Sequence, residues 1–387
     1  MKNFILTLLI AALAMAAISV PALADRQIDE EGAYVYDYDK SPYDEIIFGG
    51  RTYGQFLKSH GNTSYDFEHF VNSEFGEIYA RYAHLGATYP DNMDENLLAY
   101  WREIGMEKTL VRPEGAEDNQ QDYYVYTPVD MDAAAQYPLV IVNHGGGANA
   151  RSCESFGWID VAAQEKLILV MAEDTEAESL RRILDEVKAA YPVDESRVYL
   201  TGSSQGARRS KKFAGLYPNE IAAIAPMNAP FAFFDGDGDA QQLAALKMPI
   251  IITTGSADKY YILPVHEEGN DAASSHGSFE GWNTLVTMQG FEEYVITAEE
   301  SAALLEQTTN LLEHYTGLRL PEAIVYNHIN NRTFQCNFTN GDGVTMLSLV
   351  IEENGSHDPI GYDAQISWDY MKQFARDTQT GELIVLP

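Results

Sequence analysis

Five short apolar runs constrain this chain more than any other feature: "LVIVN" (139–143), "LILVMA" (167–172), "RVYLTG" (197–202), "IAAIAPM" (221–227) and "PIIITTG" (249–255). A strand that is apolar at successive positions presents oily side chains on both faces, so both faces need cover. The intervening stretches supply it. "FGWIDVAAQEKL", "EAESLRRILDEVKAAYP" and "QGARRSKKFAGLYP" space their apolar residues as helices do. Strands alternating with helices predict an α/β fold, a mostly parallel sheet with helices on both faces. Sites in such sheets form beyond the carboxyl ends of the strands.

The flanking regions read differently. Residues 1–24 hold one lysine, an apolar stretch and the small-residue ending Ala22-Leu23-Ala24. That is the pattern of a secretory signal peptide cleaved after Ala24, and Pro21 argues for cleavage rather than a lasting membrane anchor. A secreted or periplasmic location follows as an expectation. Residues 25–106 are tyrosine-rich and acidic with helical patches, an N-terminal helical addition to the 107–387 domain. Residues 259–332 form an irregular insertion that contains one helix, opened by a Thr297/Glu300 capping box. After it, "TFQCNFTNGDGVTMLSLVIE" predicts a hairpin around Asn340-Gly341, and "DAQISWDYMKQFARD" predicts a terminal helix.

Charge and cysteine content exclude several roles. With 58 acidic and 25 basic residues the formal charge is -33, which repels nucleic acid and anionic surfaces. Cys153 and Cys336 are the only cysteines, open to a single bridge or to two buried thiols. There is no Cys/His cluster for zinc, and "FFDGDGDAQQ" lacks the spacing and terminal glutamate of a calcium loop, so no metal and no cofactor is expected. The cluster Arg208, Arg209, Lys211 and Lys212 reads as a solvated helix face, with a contact to a substrate carboxylate as the alternative.

Chemistry concentrates in a few short segments. "TGSSQGARR" (201–209) puts Gly202 and Gly206 around Ser204 where a strand passes into a helix. G-x-S-x-G alone is weak, but in that context it describes a tight turn that presents a serine hydroxyl as nucleophile. The Gln205 amide at the helix start would donate to a developing oxyanion. "NHGGGANA" (143–150) closes an earlier strand, and bare glycines there let amides approach a substrate oxygen; Gly146 and Gly147 are the candidate donors, with His144 structural. A serine of this kind needs an imidazole, and the imidazole a carboxylate. Asp258 follows the strand "PIIITTG" and is the expected acid, with Glu267, Glu268 and Asp271 as rivals. His357, in a Gly-Ser-His-Asp-Pro loop past the strand "TMLSLVIE", is the expected base, ahead of His276, His314 and His328.

Together these segments resemble the esterase/polyhydroxybutyrate depolymerase family of α/β-hydrolases, which includes secreted feruloyl esterases. The resemblance spans residues 122–377 and is carried by "YYVYTP", "PLVIVNHGGGANA", "RVYLTGSSQGARRSKKFAGLYP", "TTGSAD" and "SHDPIGYDAQISWDYMKQFARD". It implies an α/β-hydrolase fold, a Ser204–His357–Asp258 triad and an ester substrate, possibly polymeric: acyl or feruloyl decorations of plant polysaccharides first, short polyesters second. A hydrolase-like protein that only binds a partner is the alternative from another class, and an acyltransferase is a third.

Overall fold

The computed structural model describes residues 92–116, 118–229, 247–255, 279–300, 319–327, 332–353 and 361–387. It also describes single positions 243, 303, 357 and 359 and four two-residue strands between 27 and 52. The signal segment and most of the N-terminal addition and the insertion lie outside the described residues. So do Asp258, Glu267, Glu268, Asp271, His276, His314, His328 and the "FFDGDGDAQQ" turn.

Ten strands form one sheet. In chain order they are β1 (Met106–Val111), β2 (Tyr123–Pro128), β3 (Tyr137–Asn143), β4 (Ile168–Ala172) and β5 (Val193–Ser203), followed by β6 (Ala223–Met227), β7 (Ile250–Gly255), β8 (Ala323–Asn327), β9 (Arg332–Thr339) and β10 (Thr345–Glu352). Their spatial order is β8-β9-β10-β7-β6-β5-β3-β4-β2-β1. The central run from β10 to β4 is parallel throughout, and antiparallel pairs close both edges. This is the mostly parallel sheet that the alternating runs predict, and it agrees with the α/β-hydrolase fold that the resemblance implies.

The apolar runs are buried on both sides, and strand period two divides them between two core clusters. Leu139 and Ile141 of β3 and Leu200 of β5 pack with α3 (Ala177–Ala190), α4 (Gln205–Leu216) and α5 (Phe279–Met288). Val140, Val142 and Tyr199 face the other way, toward α1 (Glu95–Glu103), α2 (Trp158–Glu165) and α6 (Gly361–Met371). Cys336 lies in the first cluster and Cys153 in the second. The sheet separates them, and both remain free, buried thiols.

Local chemistry explains where elements begin and end. Asp94 caps α1 by accepting from the amides of Asn96 and Leu97. The Thr297/Glu300 box forms in both directions, at 2.7 and 3.1 Å. The β9–β10 hairpin turns through a loop in which Asn340 Oδ1 accepts from the amides of Asp342 and Val344. The terminal helix is shorter than its pattern predicts. It ends at Met371, and β11 (Phe374–Arg376) pairs with β12 (Leu383–Val385) instead. Arg376 is the reason: its buried guanidinium donates to the carbonyls of Ile221 and Gly381, which draws the chain into the core.

Candidate active site

β3 and β5 are neighbours, yet β4 lies beyond β3 and β6 beyond β5, so the connections diverge at this pair. Such a switch point leaves a crevice at the carboxyl ends. Ser204 and the glycine loop flank it.

Ser204 sits between β5 and α4 with φ 53° and ψ −114°. A side chain in that region stores on the order of 1–3 kcal/mol and persists only where its surroundings fix it. Here they do. Ser204 N–H donates to Met227 O at 2.9 Å. A Cβ on Gly202 would come within 2.6 Å of Asn143 O, so the end of β3 lies directly against the turn. Asn143 Nδ2 donates to Ser210 Oγ at 2.9 Å, and that hydroxyl lies 2.9 Å from the carbonyls of both Thr201 and Gly206. Sequence reasoning missed Asn143 and Ser210; the available signal was a polar residue ending an otherwise apolar strand.

The glycine loop closes over this turn. A Cβ on Gly145 would lie 3.7 Å from Ser204 Cβ, and one on Gly146 would lie 3.2 Å from Gln205 Oε1. Gly147 has φ +73°, a conformation that favours glycine. Among the described residues the amides of Gly146 and Gly147 have no backbone acceptor, while Ala148 N–H turns back onto Gly145 O. Gln205 opens α4, where an amide has no acceptor within its own helix. His144 is buried with its ring nitrogens 2.8 Å from Gly145 O and 3.0 Å from Glu173 O. Both nitrogens are thus engaged with backbone, which fits a structural role.

The structure brings Ser204 and Gln205 against Gly145 and Gly146, with Gly147 next in the same loop. His357 lies half-buried beyond β10, whose carboxyl end is on the same rim. Its loop is bracketed by two buried carboxyls, Glu352 at the end of β10 and Asp363 in the first turn of α6. Burial first, then the Asp363 charge and a hydrogen bond with it, hold the Glu352 carboxyl protonated well above the usual carboxylate range. Asp258 would follow β7 but lies outside the described residues.

The basic cluster is not a uniformly solvated face. Arg209 pairs with Glu176. Lys211 is buried and donates to Ala229 O at 2.8 Å, and burial pushes its amine well below the ordinary lysine value. Its stem packs toward β6, so amphipathic spacing misassigns it. Next to Met227, Asn228 has φ 52° and a buried side-chain amide with no hydrogen-bond partner among the described residues, while its backbone N–H donates to Thr253 O at 2.9 Å. Also among the described residues, no group of His, Cys, Asp and Glu is arranged to hold a metal ion, and no helix is long and apolar enough to cross a membrane.

The chain is similar in sequence to a depolymerase and to several esterases. The chain is 28% identical over 141 residues to poly(3-hydroxyalkanoate) depolymerase C of Paucimonas lemoignei, covering 31% of this chain and 34% of that protein. It is 24% identical over 272 residues to a bifunctional acetylxylan esterase/xylanase of Neocallimastix patriciarum, covering 66% and 34%. Feruloyl esterase B of Talaromyces stipitatus is 27% identical over 166 residues, covering 37% and 46%. The chain therefore spans between a third and a half of the length of these relatives. No family model matches it. The relatives support an esterase/polyhydroxybutyrate depolymerase-like α/β-hydrolase, the resemblance its motifs carry.

Proposed function

We propose that the protein is an exported serine hydrolase of carboxylic esters. The observation that carries this reading is the Ser204 turn, a strained serine wedged between β5 and α4 with a glycine loop packed against it. Ser204 Oγ attacks the ester carbonyl while His357 takes its proton and passes it to the departing alcohol; Asp258 orients the imidazole. The amides of Gly146, Gly147 and Gln205 receive the oxyanion, each donor contributing roughly 3–4 kcal/mol of transition-state stabilisation. Water, activated by the same imidazole, then releases the acid from the acyl-enzyme. Export is supported by the signal-like residues 1–24.

The named activities of the acetylxylan and feruloyl relatives support acyl or feruloyl esters of plant polysaccharides as substrates. A second reading, a polyester depolymerase, is favoured by the 28% identity to the polyhydroxyalkanoate enzyme. A purely binding role gives no reason to keep Ser204 strained. Hydrolysis of methyl ferulate, acetylated xylan, p-nitrophenyl butyrate and a polyester film by wild type and Ser204→Ala tests these readings. Release from the first two, lost in the variant, supports the proposal. Release from the film alone supports the second reading, and no release from any overturns both.

A further inference from the structure

The strand that leads to His357 ends on a group the triad does not use. Glu352, the last residue of β10, is buried, and across the turn it meets a second buried carboxyl, Asp363 of α6. The two side chains are hydrogen-bonded to each other. Among the described residues no N–H or O–H of another residue reaches Glu352 Oε1. Its neighbours in register, Thr333 on β9 and Gly255 on β7, carry no charge. Two carboxyls in such contact cannot both ionise, so one proton lies between them. The first turn of a helix favours negative charge. Asp363 therefore carries the charge and Glu352 the proton. An O–H donating to a carboxylate is among the stronger hydrogen bonds a protein makes.

The chain between these two residues is the turn that carries His357. On the strand side, Glu353 N–H donates to Arg332 O at 2.8 Å, and the Glu353 carboxylate accepts from Arg332 Nε at 3.0 Å and Nη2 at 2.6 Å. On the helix side, Ala364, Trp368 and Met371 set α6 in the core, with the Trp368 ring edge-on to Tyr199 at 5.5 Å. The Glu352–Asp363 bond ties one anchored end to the other across the base of the turn. Gly255, beside Glu352, comes three positions before Asp258. The tie thus lies where the strands that lead to the expected acid and the expected base both leave the sheet.

We propose that Glu352 and Asp363 are positioning residues, whose hydrogen bond closes the base of the 353–362 turn and holds His357 where it can take the proton of Ser204. This role rests on the esterase reading, in which His357 is the base; the clamp on the turn does not. Apolar side chains of similar volume stabilise a buried site as well as a polar pair does, so the pair is explained by the geometry it fixes. Displacing a catalytic group by about 1 Å can cost on the order of a hundredfold in rate. Both carboxyls are buried away from substrate, so losing their bond slows the chemical step and leaves binding alone.

The test combines steady-state hydrolysis of p-nitrophenyl butyrate with hydrogen–deuterium exchange of peptides spanning 353–362, on the full chain and two variants. Glu352→Gln keeps a donor for Asp363; Glu352→Met removes it at similar volume. The Gln variant should hold kcat within about twofold of wild type, with exchange unchanged. The Met variant should lose kcat by about tenfold or more, keep KM within about twofold, and exchange faster in 353–362 alone. Should Glu352→Met fail to fold, Glu352→Met with Asp363→Leu leaves no buried charge and takes its place, with the same expectation. Wild-type kcat in the Met variant, an equal loss in both variants, a rise in KM in place of the fall in kcat, or exchange accelerated along the whole chain overturns the proposal. A wild-type chain that hydrolyses no ester sinks the esterase reading by itself. The clamp is then judged by exchange: faster exchange of the turn in the Met variant alone upholds it, and equal exchange in all three proteins overturns it.

Discussion

A Cβ atom built on Gly206 would stand 2.2 Å from the carbonyl oxygen of Asn143 and 2.6 Å from that of His144. Backbone, not a movable side chain, fills the space. Gly206→Ala must therefore push α4 away from the end of β3, just where Ser204 and the glycine loop meet. Overpacking of this kind costs on the order of 1–3 kcal/mol or more. The expected result is a lower Tm with at least a hundredfold loss of esterase kcat/KM. A variant with wild-type Tm and activity would show that this contact does not hold the turn.

Glu352 makes stability fall as pH rises. Its carboxyl keeps its proton in the folded chain, whereas the unfolded chain ionises it near pH 4.5. The contribution is complete below that pH and disappears as pH climbs toward the raised folded value, by at most a tenfold change in the folding constant per unit. Carboxylates held low, such as Asp194 beside Ser196 and Arg197 and Glu220 beside Lys188 and Arg181, act in the opposite sense. The informative quantity is therefore a difference. Tm of Glu352→Gln minus that of wild type should grow from pH 5 to pH 8; a gap independent of pH would contradict a proton shared at this position.

Lys108 and Glu154 form a buried ion pair at 2.6 Å, and Tyr126 OH donates to the same Glu154 oxygen at 2.7 Å. The pair ties β1 to the short helical segment that follows the glycine loop. Removing one charge leaves the other buried and alone. Lys108→Met should cost about 3–5 kcal/mol in urea unfolding, and adding Glu154→Gln should recover part of it. Additive losses would contradict the pairing.

Both thiols should be silent in the folded protein. Burial pushes Cys336 up to about 11 and Cys153 well above the ordinary thiol range. Ellman's reagent at pH 8 should find no reactive thiol in the native chain and 2 per chain in guanidinium. No reactive thiol after denaturation would reveal a disulfide.

The parallel centre of the sheet was legible because unbroken runs such as 139–143 demand cover on both faces, and no other layer arrangement supplies it so simply. The Ser204 turn was legible for a related reason: only glycine fits at 202 and 206 against Asn143, so the geometry leaves its mark on the sequence. Groups that act through distant partners left no such mark. Asn143 and Ser210 are 67 positions apart, and the one local signal, a polar residue ending an apolar strand, does not identify the partner. Lys211 reads as surface until the strands beneath α4 are in place, and Arg376 overrides a helical pattern by bonding a carbonyl 155 residues earlier.

Intact-mass analysis after treatment with a fluorophosphonate probe, followed by peptide mapping, tests the role of Ser204 most directly. The expected result is one adduct per chain, on the peptide that carries Ser204, and none in Ser204→Ala. An unmodified wild-type chain, or a Ser204→Ala chain modified to the same extent, would contradict it.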